Sequence, residues 1–252
     1  MNDENFFEEN ELPEVRIKII YNDFLDQSLK NKEFFRPDHG FSALVELPNA
    51  KILFDTGQNY DVLLTNMINF DLNPKDINFI FLSHYHKDHY GGLFDFLKQN
   101  YNLTVFLTKD FKEDFKNRIV NSGASLVEIK KLSTLFGNVA TTGPMGSLIR
   151  EQSMIIMTSR GAVILTGCAH QGLLDLVNSI KIFEQNILAV IGGFHLFEKT
   201  HEETKIIAEN LKNLGVNFVV PLHCSGEFAR NTFKEVFKEG FMDAGLGSII
   251  EF

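Results

Sequence analysis

Four side chains suited to holding a metal ion fall within six residues of this chain, and no other stretch restricts its fold as tightly. They are His84, His86, Asp88 and His89, in the segment SHYHKDHYGG from Ser83 to Gly92. Neutral imidazole and carboxylate groups are ligands for divalent cations. The apolar run Phe79 to Leu82 stands just before them and has the length of a short buried strand. A loop at a strand end can turn closely spaced side chains inward together, and Gly91 and Gly92 let the backbone bend into a following helix. One histidine beside an apolar run is more often a packed or surface residue. Three histidines and an aspartate at this density point to a metal site.

Composition sets the frame. The chain has 252 residues, 44% hydrophobic and 23% charged, which is ordinary for a soluble globular protein. That length suits one large domain or two small ones. No repeat, Pro- or Ser-rich linker or low-complexity run divides it, so one domain over residues 1–252 is expected. The acidic stretch 1–13 is expected to be a loosely ordered lead-in, unlike a basic and then apolar signal peptide. No apolar stretch approaches the ~20 residues needed to cross a bilayer. A net charge of −9 argues against general nucleic-acid binding, which needs a basic surface. Two cysteines, Cys168 and Cys224, give no disulfide framework and sit beside histidines, so a reducing, cytoplasmic setting is expected.

Patterning predicts strands at Val15–Tyr21, at Phe41–Glu46 and Lys51–Asp55 around a Pro48-Asn49 turn, and at Phe79–Leu82, Thr104–Leu107 and Leu126–Ile129. After a loop come Asn138–Thr141, then a hairpin of Met154–Thr158 and Ala162–Thr166 around Ser159-Arg160-Gly161. Ile187–Ile191, Phe218–Pro221 and Ser248–Phe252 complete the strands. Helices are expected over 60–70, 93–98, 109–120, 173–183, 200–214 and 227–238, with Thr200 and Glu203 in capping-box spacing. This is a mixed α/β pattern, compatible with sheets whose outer faces are covered by helices.

Of the eight histidines, all but His201 lie at or near a predicted strand end or a glycine-rich turn; His201, on a charged helix start, is expected to be solvated. Beyond the first cluster stand TGCAHQG (Thr166 to Gly172), IGGFHL (Ile191 to Leu196) and PLHCSG (Pro221 to Gly226), each after a predicted strand. In open α/β sheets, sites gather at strand ends.

The H-x-H-x-D-H segment resembles the signature of the metallo-β-lactamase fold superfamily. HGFSALVE, FDTG, SHYHKDHYGGL, TGCAHQG, IGGFHL and PLHCSG together resemble one branch of it, over roughly His39 to the C-terminus. That branch is named after 7,8-dihydropterin-6-methyl-4-(β-D-ribofuranosyl)aminobenzene-5′-phosphate synthase. The resemblance implies an α/β, four-layer αββα sandwich with metals at one edge between the sheets. It implies that His84, His86 and His170 hold one ion, and that Asp88, His89 and His223 hold a second. Asp55, in FDTG, would orient a ligand histidine from behind. Where many members carry a bridging aspartate after a T-G step, this chain has Cys168. Two roles stay open for it: a thiolate ligand, which by its softness would favour zinc, or a small buried residue.

The implied cofactor is Zn2+, one or two ions, with Mn2+, Fe2+ or Mg2+ as the alternatives. The implied activity is metal-dependent hydrolysis of a small phosphorylated or ester/lactone substrate, the ion lowering the pKa of its bound water towards neutrality. Asp88 would orient the resulting hydroxide or take its proton, and His195 would donate a proton or contact an oxyanion. Ser225 and Gly226, just before a predicted helix, would offer backbone N–H groups to a phosphate; His39 would line the pocket. A synthase-type transfer, in which an arylamine displaces pyrophosphate from a dihydropterin, is the alternative. A metal-dependent ligand-binding or sensor protein is a further one. The partner expected is a small-molecule substrate, with no membrane; the oligomeric state is not legible.

Overall fold

Strand after strand in this chain is apolar on both faces, and the fold is an arrangement that buries both. The computed structural model describes residues 15–252; the expected lead-in over 1–13 lies outside them. In β2 (Ser42–Leu47), Ala43 and Val45 enter one core and Leu44 another; in β3 (Ala50–Phe54), Ile52 and Phe54 oppose Leu53 in the same way. The two-residue period of a strand sends alternate side chains to opposite faces, so both faces must be covered. Each large side chain so buried is worth about 1.5–3 kcal/mol.

Two sheets do the covering between them. The first runs β13-β1-β2-β3-β4-β5-β6, with β1 at Arg16–Tyr21, β4 at Phe79–Phe81, β5 at Thr104–Thr108, β6 at Ser125–Ile129 and β13 at Ile249–Glu251. The second runs β12-β11-β10-β9-β8-β7. Its strands are β7 (Ser133–Phe136), β8 (Val139–Thr141), β9 (Met154–Thr158), β10 (Gly161–Thr166), β11 (Ile187–Gly193) and β12 (Val216–Leu222). One core lies between the sheets, holding Ile19, Phe54, Phe81, Val163, Ile191 and Val220 among others.

Helices α1 (Tyr60–Asn69), α2 (Lys87–Tyr90), α3 (Leu93–Gln99) and α4 (Glu113–Asn121) follow the first sheet's strands. Leu63, Met67, Phe96, Phe115 and Ile119 pack α1, α3 and α4 against its outer face. The second sheet is covered by α5 (Leu173–Lys181), α6 (His201–Asn213) and α7 (Glu227–Phe237) through Leu176, Ile180, Leu211, Phe233 and Phe237. The four layers are those of an αββα sandwich.

Three local expectations shift. The loop expected before Val139 contains β7, whose Phe136 ring stacks on Phe79 at 4.3 Å; this long-range aromatic contact is invisible in a short polar run. Within the expected metal loop, Lys87–Tyr90 closes one helical turn, α2. The helix expected from Lys109 begins at Glu113, because Phe111 turns into the core and Lys112 is extended at the N-cap.

β3 to β6 are parallel to one another, as are β10, β11 and β12. Parallel strands bring their following loops to one edge of a sheet. Asp55 follows β3, Ser83 to His89 follow β4, Gly167 to His170 follow β10, His195 follows β11 and His223 follows β12. Among the described residues no helix is long and apolar enough to cross a membrane.

Candidate metal centre

Seven imidazoles meet at that rim in an unbroken line of ring contacts. Centroids lie 5.2 Å apart for His39 and His223, 5.1 Å for His223 and His89, and 4.2 Å for His89 and His84. His84 then contacts His86 at 4.6 Å and His170 at 4.8 Å, and His170 contacts His195 at 4.5 Å. His201 lies apart on α6, exposed, with Nδ1 3.2 Å from the Thr232 hydroxyl.

Hydrogen bonds behind the rings decide which nitrogen each one presents. Asp55, fully buried, accepts from the Ser83 backbone N–H at 2.8 Å, the Ser83 hydroxyl at 2.7 Å and His89 Nδ1 at 2.7 Å. Since the Ser83 hydroxyl spends its only hydrogen on Asp55, it accepts from His84 Nδ1 at 2.9 Å. Both rings therefore carry hydrogen on Nδ1 and turn Nε2 towards the rim. Asp23 treats His223 alike, its Oδ2 lying 2.5 Å from Nδ1, while its other oxygen lies 2.8 Å from His39 Nδ1. Carboxylates that hold ligand histidines from behind fix both tautomer and ring orientation.

The outward nitrogens form two groups. Donor atoms of His84, His86 and His170 lie within 4.8 Å of one another, with His84 Nε2 only 3.0 Å from His86 Nδ1. His170 Nε2 is buried and has no hydrogen-bond partner. An unpaired buried nitrogen facing two other ring nitrogens costs free energy on its own and suits a shared cation. The second group surrounds Asp88, whose Oδ2 lies 3.2 Å from His223 Nε2, 3.4 Å from His89 Nε2 and 3.5 Å from His39 Nε2. The donor chemistry at both positions fits a divalent transition metal.

Electrostatics agree with the geometry. Burial works against charge on His89, yet Asp55 and Asp88 outweigh it and push its pKa up to about 10. His223 is likewise opposed by burial but raised to about 9 by Asp23 and Asp88. Asp88 is held well below the usual carboxylate range: the hydrogen bonds from His223 and His89 overcome its desolvation. Burial among other imidazoles takes His170 down to about 4.

The turn carrying Cys168 and His170 is shaped by Glu151, a residue with no motif around it. Its buried carboxylate accepts from the backbone N–H groups of Gly167 at 2.8 Å, Cys168 at 3.0 Å, Ala169 at 3.1 Å and His170 at 3.0 Å, and from the Thr166 hydroxyl at 2.7 Å. Successive N–H groups curled about an anion form a nest. Asp55, Ala169, His195 and His223 all have φ between 44° and 54°, the left-handed backbone that costs non-glycine residues about 1–3 kcal/mol and persists where surroundings enforce it.

Of the other residues singled out above, Cys168 is buried with its sulfur 3.2 Å from His89 Nε2. His195 and His39 are exposed at opposite ends of the row. Ser225 is fully buried, its hydroxyl donating to Leu222 O at 2.6 Å and accepting from Phe194 N at 3.1 Å, so that side chain is committed to the fold. Gly226 lines a cleft of about 540 Å³ beside His223, together with Phe24, Arg230, Lys234 and Phe241. A second cleft, of about 360 Å³, opens by His170 and His195. Asp23 and Glu151 were not foreseen; Asp23 had a weak signal, as a polar residue just past a strand end.

Residues 35–173 match the family model described as the metallo-beta-lactamase superfamily. The chain belongs to that superfamily. Among its members, the chain is 33% identical to 7,8-dihydropterin-6-methyl-4-(beta-D-ribofuranosyl)-aminobenzene-5'-phosphate synthase from Methanocaldococcus jannaschii, over 86% of this chain and 91% of that one. A solved structure described as a metal-dependent hydrolase of the beta-lactamase superfamily is 28% identical, with a TM-score of 0.77 over 94% of this chain and 99% of that one. The metallo-beta-lactamase fold protein YhfI from Bacillus subtilis, 16% identical, shares the fold with a TM-score of 0.69 over 95% and 100%. Superfamily members generally bind metal ions, and the two donor groups described above lie at the rim where such ions would sit.

Proposed function

We propose that this protein is a metal-dependent hydrolase of a small phosphorylated or ester/lactone substrate, with His84, His86 and His170 holding one ion and Asp88, His89 and His223 a second. The observation that carries this is a row of nitrogen donors at the rim, opening at His223 into a cleft walled by Phe24, Phe241, Arg230 and Lys234 together with Asp23, Glu227 and Asp243. A divalent ion bound there supplies Lewis-acid polarisation of a phosphoryl or carbonyl oxygen and activates water at neutral pH.

The protein's own groups would do the rest. Asp88 stays ionised at neutral pH and can orient the nucleophile by accepting its hydrogen bond. His195 is exposed beside His170, and a hydrogen bond with Cys224 raises its pKa, which favours a role as proton donor to a leaving group. Arg230 and Lys234 on α7, both paired with Asp243 at 2.6 and 3.7 Å, would have to share that pairing with a phosphate entering the cleft, beside the helix start at Gly226.

A second reading has its own support. The cleft at the far end of the row, lined by Leu173, Leu174, Leu196 and Lys199, gives room for a second reactant. A relative sharing 33% identity is called a synthase. In that case the cationic centre would stabilise departing pyrophosphate while an arylamine attacks, and no activated water is needed.

The deciding experiment offers metal-loaded protein a panel of phosphoesters and lactones, then a dihydropterin pyrophosphate with and without an arylamine. Turnover in water alone, lost in His86→Ala, is the result expected. Pyrophosphate release that requires the amine would move the assignment to a transferase. Tight ligand binding without turnover would make the protein a metal-dependent binder.

A further inference from the structure

The chain's two cysteines are both free, and they lie side by side at the rim although 56 positions separate Cys168 from Cys224. Cys168 follows β10 and Cys224 follows β12, so β11 stands between them in the sheet. They meet because β11 ends in two glycines. A Cβ on Gly192 would lie 1.9 Å from Thr166 O. One on Gly193 would lie 2.3 Å from Gly167 O, 2.7 Å from Cys224 Sγ and 3.3 Å from Cys168 Cα. Any side chain at 193 would therefore drive the two turns, and with them the two sulfurs, apart.

The sulfur of Cys168 sits where the two histidine groups meet. It lies within 4.8 Å of a donor atom on each of His84, His89, His170, His195, His223 and Cys224. Cys224 stands with it, in the set Cys168, His223 and Cys224, and is also hydrogen-bonded to His195. Four backbone hydrogen bonds to Glu151 hold the first turn, and Ser225 pins the second through Leu222 and Phe194.

We propose that Cys168 and Cys224 are sulfur ligands of this centre. Cys168 is the donor between the two histidine groups, and Cys224 is a second sulfur beside it, between His223 and His195. The inference rests on the metal-centre assignment above and adds to it the class of ion. Soft sulfur ligands select zinc or a similar transition metal over magnesium or manganese, which oxygen ligands favour. On binding, each thiol releases its proton to solvent as the metal–sulfur bond forms, and no electron changes hands.

Cobalt(II) is the probe, because histidine ligation and thiolate ligation give separate absorption signals. Metal-free full-length protein titrated with Co2+ is expected to develop visible ligand-field bands together with an intense near-ultraviolet thiolate-to-cobalt band. Cys168→Ser should lose most of the near-ultraviolet band and Cys224→Ser part of it. The double variant should lose it entirely while keeping the visible bands, which also reports that the fold and the histidine donors survive. The double variant's preference for zinc over manganese should fall by roughly 10–100-fold, the scale on which ligand environment alters metal affinity. Visible bands without a near-ultraviolet band in the unsubstituted protein, or an unchanged band in Cys168→Ser, would overturn the sulfur assignment while leaving the histidine centre standing. No cobalt uptake at all would overturn both.

Discussion

Glu151→Gln perturbs the centre without replacing any proposed metal ligand. The carboxylate gathers four backbone N–H groups and one hydroxyl, all buried, from the turn carrying Cys168 and His170. Hydrogen bonds to a charged acceptor contribute about 1.5–3 kcal/mol each and neutral ones about 1. Glutamine keeps one oxygen in the nest but sets an NH₂ group against one of the N–H donors. A loss of about 2–4 kcal/mol follows, part of it through that donor–donor contact. At 252 residues, each kcal/mol moves Tm by roughly 2–4 °C, so a fall of about 4–16 °C is expected. Glu151→Ala would leave the N–H groups without their acceptor, at about 1–3 kcal/mol each, comparable with the whole net stability of a domain; it is expected to fold poorly. The assay is urea unfolding of metal-free Glu151→Gln beside zinc affinity measured by competition. Affinity should drop roughly 10–100-fold, as for other groups that orient ligands from behind. A variant with the original unfolding midpoint and zinc affinity would refute the claim that this carboxylate shapes the turn.

Other perturbations separate the parts. Asp55→Asn should weaken metal binding by roughly 10–100-fold, because it disturbs both His89 and the Ser83–His84 relay, measurable by chelator competition. Arg230→Ala should raise KM for a phosphorylated substrate by roughly 10–100-fold with a smaller effect on kcat, as expected for a group that binds rather than reacts. In metal-free protein, His89 and His223 have folded pKa values raised to about 10 and about 9. Their stabilisation is full below the unfolded histidine value of about 6.5 and is lost as pH rises through those values. Metal binding needs the rings neutral, so zinc affinity should move the other way and increase with pH; paired urea and zinc titrations at several pH values would expose either sign error.

The mixed α/β pattern was legible because runs such as Ala162–Thr166 and Ile187–Ile191, apolar throughout and with a helix between them, must bury two faces; the four-layer sandwich itself was implied by the family resemblance. Most of the histidines were legible from their positions, at or near a predicted strand end or a glycine-rich turn. Their pairing into two groups was supplied by family resemblance; the ring contacts run unbroken across both groups, the shortest joining His84 to His89. Glu151 was not legible, since one carboxylate in a loop has no spacing to betray it, and Asp23 had only its place past a strand end; their partners lie 19 and 200 positions away. Phe136 was missed for the same reason: β7 exists through a stacking contact with Phe79 that no local pattern encodes.

Elemental analysis of purified, unchelated protein, compared with His84→Ala and His223→Ala, tests the central claim most directly. At least one transition-metal ion per chain is expected, with a marked loss in His84→Ala and in His223→Ala. Protein that carries no transition metal, and takes up none from excess zinc or manganese, would contradict it.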